Sequence, residues 1–137
     1  MQLPGVHYLA VLVSGVVIFM LGGLWYSPVL FAKPWVALQG KTMEEMRQAG
    51  ASPVMYGLVF LCGLVVAWAM AVVLAHFPPW TAMRGAEVGA LMWFGFAAPT
   101  SYGTALFSMK PKALWAIDTA FNLVSFVIAG IVLSVWR

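Results

Sequence analysis

The chain has 137 residues, of which 64 % are hydrophobic and only 8 % charged. That length bounds it to one domain. A soluble domain carries roughly a quarter charged residues, so this composition and a mean hydropathy of +0.96 exclude water as its main solvent. The net charge of +3 would suggest nucleic acid in a soluble protein, but the seven Lys and Arg sit in loops and at chain ends. Membrane topology and lipid headgroups account for them there. The lipid bilayer is therefore the expected partner and nucleic acid is not.

A bilayer takes about 20 helical residues to cross, and four apolar stretches are long enough: Val6–Trp25, Val54–Phe77, Gly85–Phe107 and Ala113–Trp136. The predicted fold class is all-α, a single transmembrane domain over residues 1–137 with four helices and a short amphipathic segment between the first two. No Lys or Arg precedes the first apolar run, so a cleaved signal peptide is not expected.

The connection Tyr26–Pro53 is too long for a simple turn. Ser27-Pro28 is expected to end the first helix, with Trp25 and Tyr26 anchoring it at the membrane border. Leu30, Phe31, Trp35, Val36 and Leu38 suit a segment lying along the membrane, interrupted by Pro34. Thr42-x-x-Glu45 reads as a capping box for one or two helical turns over Met43–Ala49, with Gly50 as the stop. Glu44 and Glu45 are then solvated loop charges.

In the second stretch Gly63, Ala67, Ala71 and Ala75 recur every four residues, and Gly85-x-x-x-Gly89 opens the third. Small residues at this spacing let helices approach closely, within one chain or between copies. Cys62 is the single cysteine; it excludes an intrachain disulfide and is expected to pack as a small hydrophobe. Pro99 cannot donate to the Gly95 carbonyl and predicts a kink there, with Thr100, Ser101 or Thr104 satisfying the freed group.

Asp118 is the intramembrane acid. It shares a helical stripe with Asn122, Ser125 and Ala129, while Ile117, Phe121, Val124, Ile128 and Ile131 cover the opposite face. A carboxylate in hydrocarbon costs about 2.5–3.5 kcal/mol on insertion scales, so the stripe should face protein. Asp118 lies about 9 Å along the helix from Lys112, and Pro99 about 12 Å from Phe107, so Thr100, Ser101 and Thr104 are candidate neighbours. Lys33 and Lys112 are the candidate charge partners. Asp118 either binds a cation or proton in a small polar cavity or holds the bundle together, and the residues leave both open.

A second polar group comprises His7, His76, Arg84 and Glu87. No His pair has local ligand spacing and Arg84 can pair with Glu87 at i+3, so no metal is assigned. With no nucleophile–base pattern and no phosphate loop, no catalytic residue and no cofactor are expected. Trp25, Trp35, Trp80, Trp115 and Trp136 fall at predicted borders, and Trp68 and Trp93 deeper, between helices. Lys33, Lys41, Arg47, Lys110 and Lys112 outnumber Arg84 and Arg137. The positive-inside rule then puts the first and third connections in the cytoplasm and both termini outside the inner membrane.

Gly22-Gly-Leu-Trp-Tyr-Ser-Pro-Val-Leu-Phe-Ala-Lys-Pro-Trp35, followed by Leu38-Gln-Gly40 and Glu45, resembles the opening signature of the bacterial domain-of-unknown-function 1761 family. Tyr56-Gly57, Leu74-Ala-His76, Gly95-Phe96, Leu106-Phe107 and the Ile117–Trp136 helix are similar as well. The resemblance implies a small four-helix integral membrane protein and carries no activity. Ala32 stands where the family commonly has Gly, Asp118 where an amide is more usual, and Asn122 where His is frequent, which favours structural hydrogen bonding over obligatory proton chemistry. The first functional reading is a non-enzymatic, self-associating membrane module, homo-oligomeric or part of a larger complex, that carries or conducts a small solute or ion. Its rival is an accessory subunit whose polar residues only hold helices together.

Overall fold

A computed structural model describes residues 3–50 and 52–137. It is all-α: α1 (Tyr8–Trp25), α2 (Ala32–Leu38), α3 (Met43–Ala49), α4 (Pro53–Leu74), α5 (Ala82–Met92), a π-helical segment (Trp93–Ala97), α6 (Ala98–Phe107) and α7 (Lys112–Val135). Three of these are long and apolar enough to cross a membrane, α1, α4 and α7, with mean hydropathies of 2.2, 2.6 and 2.0. The fourth apolar stretch is helical from Ala82 to Phe107 but divided in three.

Local chemistry sets these boundaries. Ser52 accepts from the Met55 amide (3.2 Å) with Pro53 in the first turn of α4, and Thr81 accepts from the Arg84 amide (3.1 Å) to open α5. Each satisfies a donor that the first helical turn leaves without a partner. Thr42 does the same for α3 through the Glu45 amide (3.1 Å), and Gly50, at φ +62°, ends it. The π segment lies directly before Pro99. Proline brings no N–H to the Gly95 carbonyl, and the ladder shifts register so that the Ala98 amide reaches back to the Trp93 carbonyl.

α7 is the centre of the molecule: α1, α2, α4, α5, the π segment and α6 all pack against it. Its buried residues include Leu114, Thr119, Ser125, Ala129, Gly130 and Leu133. Phe121, expected on the outward face, instead lies against Gly22, Trp25 and Tyr26, because a helix surrounded on several sides has no single outward face.

The small residues are spent inside the chain. A Cβ at Gly85 would strike the Gly130 backbone, and one at Gly89 the Phe126 backbone, so α5 and α7 touch main chain to main chain. Gly63 meets Ile18 and the Gly15 carbonyl on α1, with Ala67 and Ala71 buried along the same face. The other face of α4 carries Leu58, Val59, Leu61 and Val65, each more than half exposed. An apolar surface of this extent suits lipid. Cys62 is exposed on that face, not packed as expected, and Trp68 is also exposed at 38 %; both follow from α4 having only one covered side.

Candidate functional site

The site forms where the chain leaves α1 and folds back. Ser27 Oγ donates to the Leu24 carbonyl (2.6 Å), and Pro28 follows, so the helix stops at Trp25. The Phe31 amide then donates to the Trp25 carbonyl and the Ala32 amide to the Ser27 carbonyl, both at 3.1 Å. This tight reversal brings α2 back beside α7. Trp25, Tyr26 and Trp35 are thereby presented to one turn of α7.

Tyr26 Oη donates to Asp118 Oδ1 at 2.7 Å, and Trp35 Nε1 donates to the same oxygen at 3.1 Å. Trp25 Nε1 donates to the Ile117 carbonyl at 3.0 Å. From the other side, Trp93 Nε1 donates to the Thr119 carbonyl (2.9 Å) and to Thr119 Oγ1 (3.1 Å). Trp115 completes the group by donating to Ser101 Oγ at 2.9 Å. The segment Trp115–Thr119 is thus collared by three indoles and a phenol from the preceding helices. A helix carbonyl has a second lone pair, so Ile117 and Thr119 accept these bonds without leaving the α-ladder.

The rings pack as well as bond. Tyr26 lies 5.0 Å from Trp35 and 5.7 Å from Phe121, centroid to centroid, and Trp25 lies 4.8 Å from Phe31. Burial, then the hydrogen bond and charge of Asp118, push the Tyr26 phenol well above its ordinary range, so it remains a donor.

The partners of Asp118 differ from those expected. Lys33 and Lys112 are exposed, and the ion pairs among the described residues are Arg47–Glu44 (3.3 Å) and Arg84–Glu87 (3.6 Å). Neutral donors take the carboxylate in place of an ammonium, because the folded-back loop delivers Tyr26 and Trp35 to it while Lys33 stays exposed on α2. Trp25 and Trp35, expected as border anchors, likewise turn their N–H groups inward.

Thr100, Ser101 and Thr104 do not reach Asp118. Thr100 donates to the Phe96 carbonyl, Ser101 to the Ala97 carbonyl (2.7 Å) and Thr104 to the Thr100 carbonyl (3.1 Å). The irregular turn before Pro99 recruits the first two hydroxyls, while Thr100 and Thr104 face outward. Ser125 is buried and its hydroxyl has no partner among the described residues. Asn122 is half-buried, one turn beyond Asp118.

The His and Arg residues at the far end do not form one site. His7 lies edge-on to Trp136 (5.2 Å between centroids), and the Arg137 guanidinium sits 4.3 Å above the Trp80 ring. Arg84 pairs with Glu87, and His76 is exposed beyond α4. Among the described residues, no three His, Cys, Asp or Glu side chains converge as metal ligands.

The depth of Trp93 in its apolar stretch predicts a place between helices, but its hydrogen bonds to Thr119 have no signal in the sequence. The spacing of Trp25, Tyr26 and Trp35 in the signature block is the visible clue, since a border anchor needs one aromatic and this block holds four, Phe31 included.

No curated protein and no solved structure matches the chain. A family model described as "Protein of unknown function (DUF1761)" matches residues 9–134. That span takes in the collar, its target turn on α7 and all but the first residue of α1 and the last of α7 among the long helices, and the chain belongs to the DUF1761 family.

Proposed function

We propose that this is a non-enzymatic integral membrane protein of the inner membrane, with Ala82–Phe107 serving as a fourth span and both termini outside the cytoplasm. Its polar residues latch the helices together, the accessory reading, in preference to forming a solute pathway. One observation carries this: Asp118 Oδ1 is occupied by two neutral donors from the connection between the first two long helices. Two clefts of the molecule lie elsewhere. One is an apolar groove between α1 and α4, lined by Tyr8, Val11, Leu12, Leu64, Val65 and Trp68. The other lies near His7, Leu133, Trp136 and Arg137. The small-residue faces that would have favoured self-association are used within the chain, which removes that argument for an oligomer.

Reconstituted vesicles test the choice. The latch reading expects ion and proton flux equal to that of protein-free vesicles for both the wild type and Asp118→Asn, with the variant less stable. Flux in the wild type that Asp118→Asn abolishes in a folded protein would establish the carrier reading. Impermeant labelling of a cysteine at position 44, in a Cys62-free background, tests the orientation: protection in intact cells is expected, and ready labelling would invert it.

A further inference from the structure

At the end of α7 away from the collar, a cleft of about 230 Å³ is lined by Gly5, His7, Ala71, Leu133, Trp136 and Arg137. Its walls have two characters. Ala71 on α4 and Leu133 on α7 are each 2 % exposed and belong to the core, so the cleft reaches down to the packed interior. His7 and Arg137 are exposed and basic. Both are positioned by tryptophans. Trp80 Nε1 donates to the Leu74 carbonyl at 2.8 Å, which fixes that indole at the end of α4. The Arg137 guanidinium lies over the Trp80 ring, 4.3 Å from its centroid, and His7 rests edge-on to Trp136 at 5.2 Å. Stacking occupies the flat face of a guanidinium, while its five N–H donors radiate in its plane. Of the four acidic side chains, only Glu87 belongs to this end, and it pairs with Arg84 at 3.6 Å. Arg84 and His76 do not line the cleft.

We propose that this cleft binds the phosphate monoester of a lipid, with Arg137 and His7 as the donors to its oxygens. Three features select this class. A guanidinium held by its face presents a fork that matches an oxyanion bidentately, and charge-assisted bonds of this kind are the strong ones. A phosphate monoester carries three acceptor oxygens, so two can meet the fork and the third the His7 N–H, whereas a carboxylate has only two. The volume equals roughly seven or eight waters at about 30 Å³ each. That holds a phosphate and the first carbons of its substituent, and excludes a bulky headgroup. The apolar floor of Ala71 and Leu133 receives those carbons. The cleft sits where α4 and α7 end and α1 begins, at the border where Trp80 and Trp136 mark the headgroup level, so the rest of the chain continues into lipid. A phosphatidate headgroup and a single-chain lipid phosphate share this chemistry.

The site goes beyond the latch and does not depend on it, since the two lie at opposite ends of α7. The full chain in phosphatidylcholine nanodiscs is titrated with dodecyl phosphate and followed by tryptophan emission, because Trp136 lines the cleft and Trp80 carries Arg137. Saturable binding is expected, at least tenfold tighter than for dodecyltrimethylammonium and about fivefold tighter than for dodecanoate. Arg137→Gln should weaken it at least tenfold, the loss of hydrogen bonds from a charged donor. His7→Phe keeps a ring against Trp136 without the N–H and should weaken it about fivefold. A Cβ at Gly5 meets no protein atom within 4 Å, so Gly5→Leu adds bulk beside the cleft in a folded protein and should also weaken binding. Nanodiscs containing phosphatidate distinguish the source: competition identifies the two-chain headgroup, and no competition identifies a single-chain lipid phosphate. Equal binding of dodecyltrimethylammonium, an Arg137→Gln titration within twofold of wild type, or equally tight binding of inorganic phosphate would overturn the proposal.

Discussion

α7 is held in two unlike ways along its length. Near its start, Trp115–Thr119 is gripped by side chains: the indoles of Trp25, Trp35 and Trp93 and the phenol of Tyr26. Near its end, Phe126 and Gly130 are gripped by the lack of them, since Gly89 and Gly85 bring the α5 backbone directly against α7. Lipid supplies no hydrophobic drive between helices, so association depends on close packing or on interhelical hydrogen bonds. Close packing has no tolerance for added atoms, whereas a hydrogen-bonded collar distributes its contribution over several donors. The contrast predicts which end should be brittle and which graded.

The largest effect is expected at the glycine contact. Gly130→Val places a branched side chain where the Gly85 carbonyl already sits, and about 3 kcal/mol of stability should be lost. Unfolding in mixed micelles measures it; a variant within about 0.5 kcal/mol of wild type, the range of harmless surface changes, would show that α5 and α7 are not in backbone contact.

Next comes Asp118→Leu, which strands the Tyr26 hydroxyl and the Trp35 N–H together. About 2 kcal/mol should be lost, in line with unsatisfied donors in a partly buried site. A gain in stability in the same unfolding assay would mean that the carboxylate faces lipid and the collar contributes nothing.

Single collar donors should matter less. Trp93→Phe removes the bonds to Thr119 while keeping an aromatic ring, and a loss of about 0.6 kcal/mol is expected, the average for hydrogen bonds within membrane bundles. A loss as large as that of Asp118→Leu would make Trp93, and not Asp118, the keystone of the collar. Smallest of all is Thr104→Val, because Thr104 is exposed and bonds only to its own helix. It should move stability by less than about 0.5 kcal/mol, and a larger change would reveal a contact on that face.

Which parts were legible in the sequence follows the same division. The long helices, the cap at Thr42 and the helix stop at Ser27-Pro28 were readable, because hydropathy, capping chemistry and proline act locally. So was the expectation that Asp118 meets protein groups, since an acid in an apolar run is costly when it does not. Its partners were not. Choosing Lys33 or Lys112 followed from charge, yet a loop that doubles back sets partners by geometry, and the two donors it delivers are neutral. The π segment before Pro99 was half legible: the missing N–H predicts a break, but whether the chain kinks or shifts its hydrogen-bond register depends on how α5 and α6 are both held against α7.

The bond from Tyr26 to Asp118 locks the first connection onto α7. A double-mutant cycle of Tyr26→Phe and Asp118→Leu, read as reversible unfolding of the purified protein, tests it most directly. The two losses are expected to overlap, with a coupling of about 1 kcal/mol, the net value of one such bond. Losses that add to within about 0.3 kcal/mol would contradict it.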